Sequence, residues 1–298
     1  MSEQQPAFAV SSILQQRYRL ETLLGTGGTA FVYRAHDEVL GRDVAVKIFQ
    51  ASTVDQTEIA RQENELKLLA SLSHHSLVTL LDAGVDLTNP ERPHLYLVME
   101  LMDGTDLRGK IDAGALSVRQ IAEIGSDVAE GLEYIHSRGI IHRDVKPANI
   151  LMVDYGTSNA RLRVKLSDFG IALLSDSARL TDPSLTTGTA AYLSPEQANG
   201  TDIGPASDVY SLGLVLLECV NGEVVFPGHT VPSVLERLRV DPPVPSDVPP
   251  VLSALLSAMT AREPADRPPT GEVSLALRQI IINEAGRHRS DDPAAQRA

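Results

Sequence analysis

IHRDVKPANIL, residues 141–151, and SDFG, residues 167–170, decide how this chain is read. In the first stretch one carboxylate, Asp144, is followed after two positions by Lys146 and after five by Asn149. In the second, Asp168 stands shortly before Gly170, which permits a sharp turn. Moving a phosphoryl group from ATP needs an acceptor for a hydroxyl proton, a cation beside the moving group and oxygen ligands for magnesium. These residue types supply all three, in order. Any one of them alone would pass for a loop cap or a surface charge; the joint spacing is what carries the reading.

Two weaker signals lie upstream. LGTGGTAFV, residues 24–32, puts Gly25, Gly27 and Gly28 between two strand-like runs, where a backbone without Cβ atoms can approach a phosphate. A glycine-rich hairpin is more often only a turn, and a strand follows it where a dinucleotide fingerprint would need a helix. Lys47 sits in VAVKIF on an otherwise apolar strand and either alternates outward to solvent or is held for a ligand. Glu65, on the helix expected over about 57–72, is a candidate partner for it, with Glu58 and Glu63 as rivals.

Around these motifs the pattern divides in two. Runs 18–24, 30–35 and 44–49 predict antiparallel strands, and 77–85 and 94–100 add strand-like segments. After Gly104 the period becomes helical. Ile121, Ile124, Val128, Leu132 and Ile135 form one buried stripe, and Val209, Leu212, Leu216 and Val220 repeat it behind Pro205. DPPVPSDVPP, 241–250, should be an extended connection, because proline cannot sustain a helix. The expected division is a flexible lead-in over 1–16, a β-rich unit over 17–102, a helical unit over 103–284 and a flexible charged tail over 285–298.

Composition excludes several classes of function. At 298 residues with 43% hydrophobic and 22% charged content, the chain is neither disordered nor fibrous. Its formal net charge of -13 opposes nucleic acid and anionic membranes as main partners. Cys219 is the single cysteine, so no internal disulfide or cysteine metal cluster can form, and it reads as a small buried hydrophobe. The longest apolar stretch, near Leu212 to Val220, is too short to span a bilayer, and MSEQQPA is no signal peptide.

GTGGTAFV, VAVK, HRDVKPAN, DFG, GTAAYLSPE, SDVYSLG and ADRP occur in one order, and with them residues 17–283 resemble the eukaryotic-like (Hanks-type) protein Ser/Thr kinase family. The form with Lys146 two after the aspartate is similar to Ser/Thr rather than Tyr members, and YLSPEQA is similar to bacterial ones. The resemblance implies an α+β, bilobal fold: a small antiparallel sheet lobe with one main helix, and a larger, mainly helical lobe. It implies transfer of the ATP γ-phosphoryl group to protein Ser/Thr hydroxyls, with Mg2+ or Mn2+ as the metal. Asp144 would be the base, Lys146 would stabilise the transferred group, and Glu65 would hold Lys47 on the α and β phosphates. Asn149 and Asp168 would bind metal. Gly25, Thr26, Gly27 and Gly28 would cover the phosphates. Leu24, Val32, Ala45, Met99 and Leu151 would enclose adenine, backbone groups of Glu100 and Met102 would meet its edge, and Asp106 would reach the ribose. Ala30 departs from the family, which carries a third loop glycine there.

The same resemblance makes the hydroxyl-rich segment 173–189 an activation loop, with Thr181, Ser184, Thr186 and Thr187 as autophosphorylation candidates and Arg143 as the cation that pairs with the phosphate. Thr189 would shape the acceptor groove, His142 would be a packed core group, Glu196 and Arg267 a buried pair, and Asp208 an anchor for the catalytic loop. Protein substrates are the expected partners, with a homodimer for phosphorylation in trans. The expected location is the cytoplasm, either as a free kinase or as the inner part of a longer receptor kinase. A pseudokinase scaffold and a small-molecule phosphotransferase are the alternatives.

Overall fold

A computed structural model of the chain describes residues 8, 10–26, 30–49, 66, 69–89, 93–153, 162–168, 189–227, 238–246 and 248–290. The chain divides into two compact units, Met1–His74 with Val78–Met102, and His75–Leu77 with Asp103–Ala298.

The first unit is an antiparallel sheet of β1 (Ile13–Leu14), β2 (Tyr18–Thr26), β3 (Ala30–Asp37), β4 (Arg42–Phe49), β5 (Leu80–Asp86) and β6 (His94–Glu100), in the order β1-β2-β3-β4-β6-β5. Alternation gives the sheet two different faces. Leu20, Phe31, Tyr33, Val44, Val46, Ile48, Tyr96 and Val98 join one apolar core. In the β3–β4–β6 register Val32 faces Lys47, Lys47 faces Leu97 and Ala45 faces Met99, so these side chains share the other face. The expected helix over 57–72 lies largely outside the described residues; Leu66 and Leu69–Ala70 are helical, and both leucines are buried.

Three differences from the sequence reading have physical causes. The lead-in is not loose as far as residue 16: Leu14 is fully buried, Ser11 N–H donates to the Leu20 carbonyl and Leu20 N–H to Ser12. Two apolar residues are too few to show a period, so β1 was invisible. β2 continues through Gly25 and Thr26, which pair with Val32 and Phe31 across a register shift; glycine there bulges the strand without ending it. The fourth expected strand begins at Leu80 instead of 77, because Leu77 bridges to Leu166 in the second unit.

Arg17 locks the turn between β3 and β4. Its Nε and one terminal nitrogen reach the two Asp37 oxygens at 2.9 and 2.8 Å, and the other terminal nitrogen reaches Asp82 at 3.1 Å. Val39 and Leu40 N–H groups also donate to Asp37. The Arg17 bonds, opposed by burial and helped by these amides, hold the Asp37 carboxyl down at about 2.

The second unit contains α1 (Leu107–Asp112), α2 (Val118–His136), the hairpin β7 (Ile150–Val153) and β8 (Arg163–Leu166), and then α3 (Pro195–Asn199), α4 (Pro205–Asn221), α5 (Pro250–Met259) and α6 (Thr270–Ser290). A Ser117–Gln120 capping box starts α2, whose expected stripe is buried throughout. α2 packs on α4 and α6 at glycine distance: a Cβ at Gly125 would meet Leu277 at 2.8 Å and Leu216 at 2.9 Å. Where α4 meets α5, a Cβ at Gly213 would lie 2.7 Å from Thr260. The connection before α5 is irregular over 241–245, as expected, and Pro250 opens the helix. α6 runs to Ser290, past the expected boundary at 285. Charged, low-hydropathy sequence reads as coil, yet a solvated helix end tolerates it equally. Among the described residues no helix is long and apolar enough to cross a membrane.

Arg267 fastens this unit. Its five N–H donors are all used: two on Glu196 at 2.7 and 2.9 Å, and three on the carbonyls of Ala261, Ala206 and Arg262. Burial alone would raise the Glu196 carboxyl, but the bonds from Arg267 and Ser207 outweigh it and hold it below the ordinary range.

Two stability outcomes are expected. Arg267→Ala strands a buried carboxylate and should cost about 3–5 kcal/mol in urea unfolding, with little rescue by lysine, whose three donors cannot replace the fork. Asp37→Asn should lower the unfolding midpoint most above about pH 5. Because the folded pKa lies below the ordinary ~3.9, the ionic contribution is present above that value and is lost as pH falls towards about 2. Mutant and parent curves should therefore converge in acid; a gap unchanged between pH 7 and pH 2 would contradict this.

Candidate functional site

In the second unit the turn after α2 is shaped by one aspartate. Asp208, in the first turn of α4, accepts the His142 N–H at Oδ2 and the Arg143 N–H at Oδ1, both at 2.8 Å, and His136 Nε2 also lies 2.8 Å from Oδ2. These bonds pin a left-handed Arg143, φ 67°, a conformation that costs a non-glycine residue energy and persists only under constraint. Gln197 on α3 closes the other side by donating to the Arg143 carbonyl at 2.9 Å.

The next residue is Asp144. Its Oδ2 receives Lys146 Nζ at 2.9 Å and Asn149 Nδ2 at 3.1 Å, and Asn149 Nδ2 also donates to the Asp144 carbonyl at 2.8 Å. Asp144 Oδ1 makes no hydrogen bond among the described residues. One oxygen of the carboxylate is therefore fixed and the other is open to an incoming group. The same donors settle the Asn149 amide. Its nitrogen is spent on Asp144, which leaves its oxygen as the ligand-capable end.

His142 ties this loop to Asp168. It is fully buried, Nδ1 accepts the Asp144 N–H at 3.2 Å, and Nε2 lies 2.9 Å from the Ser167 carbonyl. With Nδ1 accepting, the proton belongs on Nε2, which donates. Ser167 answers with its N–H and Oγ on the Asn149 carbonyl, at 2.8 and 3.1 Å. Asp168 follows at once, itself left-handed with φ 64°, a region that aspartate tolerates better than most residues. An amide oxygen and a carboxylate thus stand on two bonded segments, and such hard oxygen donors suit Mg2+ or Mn2+. Leu151, on β7, is half-buried and bridges Asp106, whose Oδ1 caps α1 by accepting the Gly109 N–H at 2.8 Å.

In the first unit Val32, Lys47, Ala45 and Met99 share the sheet face opposite the apolar core. Lys47 Nζ lies 5.8 Å from the Phe49 ring centre. Gly25 pairs with Val32, in line with Lys47 on the next strand; Thr26 ends β2, and Leu24 beside them is exposed. Glu100 spends its carboxylate on the Thr79 N–H at 2.7 Å, and Met102 closes the unit. Gly27, Gly28, Glu65, Thr181, Ser184, Thr186 and Thr187 lie outside the described residues.

Asp208 anchors the catalytic loop, His142 is a packed core group and Glu196 pairs with Arg267, as the sequence led one to expect, while other supports escaped it. His136, Ser167 and Gln197 were not singled out, since a buried histidine on an apolar helix or a serine before an aspartate carries no signal of its own. Glu123 and Asp127 were missed as well: buried on α2, they accept the N–H groups of Leu162 and Val164 and fix the far end of β8. Two acids four apart within an apolar stripe are the signal that could have found them.

The description "Protein kinase domain" fits residues 18–276. Over 262 residues the chain is 39% identical to Serine/threonine-protein kinase PknA of Mycobacterium tuberculosis, covering 87% of this chain and 59% of that one. Over 263 residues it is 41% identical to Serine/threonine-protein kinase PknB of Mycolicibacterium smegmatis, covering 85% and 41%. The chain therefore spans about half the length of these curated relatives. The crystal structure of the M. tuberculosis PknI kinase domain superposes with a TM-score of 0.68 at 25% identity, covering 92% of this chain and 99% of that one. With the catalytic-loop geometry and the match over 18–276 in agreement, the chain belongs to the protein kinase family.

Proposed function

We propose that this chain transfers the γ-phosphoryl group of ATP to serine and threonine hydroxyls of proteins. The observation that carries the proposal is the convergence of Lys146 and Asn149 on one oxygen of Asp144 while the other stays open. That open oxygen, Oδ1, is the natural acceptor for the hydroxyl proton. It lies on a carboxylate whose orientation is fixed by two donors and which follows a backbone held at His142 and Arg143 by Asp208 and Gln197. Lys146, already beside Asp144, counters the negative charge of the moving group as the oxygen attacks.

Asn149 and Asp168 would hold Mg2+ or Mn2+, which when bound neutralises charge on the nucleotide phosphates. The residues present fit this role, because the Asn149 amide is turned with its nitrogen inward on Asp144. Asp106, with one oxygen spent on its helix cap, would offer the other to the ribose. On the first unit's open face, Lys47 would meet the α and β phosphates and Glu65 would hold it. Val32, Ala45 and Met99, with Leu24 and Leu151, would enclose adenine, and Glu100 and Met102 backbone groups would meet its edge. Glycines 25, 27 and 28 with Thr26 would cover the phosphates.

Proteins as substrates, rather than small molecules, are supported by relatives named serine/threonine-protein kinases. A scaffold without turnover would not need Lys146, Asn149 and Asp144 bonded in this way. Control would lie in the 173–189 segment: a phosphate on Thr181, Ser184, Thr186 or Thr187 would pair with Arg143 and order it. A second copy would act as the kinase, with ATP as the phosphoryl donor.

Asp144→Asn should slow transfer by about 10² or more while leaving nucleotide binding within a few-fold, and Asp168→Asn should abolish metal-dependent transfer. Labelled ATP, a protein acceptor and a fluorescent nucleotide measure both; full turnover in either variant would defeat the assignment. Incubation with ATP and magnesium followed by mass mapping should find phosphate in 181–187, at a specific rate that rises with enzyme concentration. A phosphate-free loop in an active preparation would remove the control step.

A further inference from the structure

The outer edge of β8 is completed by side chains. β7 pairs with one side of β8, from Val153 opposite Arg163 to Ile150 opposite Leu166, and in such a ladder successive N–H groups point to opposite sides. The N–H groups of Leu162, Val164 and Leu166 therefore fall on the side away from β7, where a two-stranded sheet would otherwise meet another strand or water. Each has a fixed acceptor there. Glu123 Oε2 takes Leu162 at 3.2 Å, Asp127 Oδ2 takes Val164 at 3.3 Å, and the Ser76 carbonyl takes Leu166 at 2.8 Å.

Two periods make this match possible. Glu123 and Asp127 stand four apart on α2, about 6 Å along its axis, while Leu162 and Val164 stand two apart on an extended chain, about 6.6 Å. One helical turn of carboxylates thus meets one strand repeat of amides. Each carboxylate gives its second oxygen to a cation: Arg119 Nε lies 3.0 Å from Glu123 Oε1, and a terminal nitrogen of Arg163 lies 3.2 Å from Asp127 Oδ1. Both acids are buried, and both arginines reach them from the surface. Leucines at these two positions would pack without the desolvation penalty of a buried charge, but they could not accept an N–H.

α2 also reaches the catalytic loop. His136, in its last turn, meets Asp208 Oδ2 at 2.8 Å, and Asp208 holds the backbone that leads into Asp144 and Asn149. One helix therefore references two segments: that of Asn149 through its end, and that of Asp168, four residues after Val164, through its body. We propose that Glu123 and Asp127 are positioning residues, which hold β8 at a fixed height along α2 and so set Asp168 against Asn149 for the metal. This rests on the reading of Asn149 and Asp168 as the metal-holding pair. Neither acid touches the reacting groups; both act through the strand. A merely structural ion pair would behave differently: its loss would reduce the folded fraction and leave the metal affinity of the folded molecules as it was.

The test follows Mn2+ binding in the presence of ADP, read from the EPR signal of the free ion, together with amide hydrogen exchange over 162–168 and the Mg2+ dependence of transfer. In Asp127→Ala the Mn2+ Kd and the Mg2+ half-saturation should both rise about tenfold, the scale of a lost orienting partner behind a metal ligand. Exchange over 164–168 should quicken, and KM for the protein acceptor should not move. Asp127→Asn, which keeps an oxygen for the Val164 N–H, should recover most of the affinity. Glu123→Ala, one turn farther from Asp168, should shift Mn2+ binding in the same sense by less, and it carries the test if Asp127→Ala does not fold. Unchanged Mn2+ affinity in the folded alanine variants would overturn the inference, as would a loss that Asp127→Asn fails to recover. A parent protein that binds no Mn2+ with ADP would instead overturn the reading of Asn149 and Asp168, a result visible before any variant is made.

Discussion

Two amide hydrogens on one carboxylate are the constraint on which this protein's chemistry depends. Asp208 takes the N–H groups of His142 and Arg143, one on each oxygen, and so pays for a backbone conformation that Arg143 would not adopt unaided. The left-handed turn sets the direction in which the next residue, Asp144, projects. From there the order propagates locally. Lys146 and Asn149 fix one Asp144 oxygen, His142 carries the arrangement to Ser167, and Ser167 returns it to Asn149. The loop is irregular, yet most of its polar groups are satisfied by named partners, which is how an irregular segment can be stiff.

That stiffness has its foundation in a helical unit of unusually close approach. Gly125 and Gly213 leave room for side chains of the neighbouring helices to pack directly against the α2 and α4 backbones, and Arg267 ties Glu196 on α3 to the carbonyls of Ala206, Ala261 and Arg262. Asp208 is therefore anchored on a helix that cannot readily shift. The first unit works on another plan. Its sheet packs one face into an apolar core and sets Lys47 among Val32, Ala45, Leu97 and Met99 on the other, where strand alternation keeps the lysine out of the core.

Much of this was legible in the sequence, for reasons that differ by residue. Asp144, Lys146 and Asn149 were readable because they fall within six consecutive positions, so their geometry is fixed by a single loop. The stripe on α2 was readable because a helix repeats its instruction every turn. β1 was not, since two residues cannot show a period, and neither was the end of α6, where solvated helix and coil have the same composition. Arg108 and Glu218, which both bond the Tyr192 hydroxyl, were out of reach for a third reason. They lie 84 and 26 positions from it, and each alone resembles an ordinary surface or interface residue. Contacts that exist only after the chain has closed on itself leave no local trace.

The glycine contacts between helices carry a consequence for how the protein can change over generations. At Gly125 a single added carbon would collide with leucines of two different helices, at 2.8 and 2.9 Å. The atoms met are the methyl ends of leucine side chains, so a larger residue is admitted where Leu216 on α4 and Leu277 on α6 turn aside together, and exchanges at these three positions should be coupled over generations.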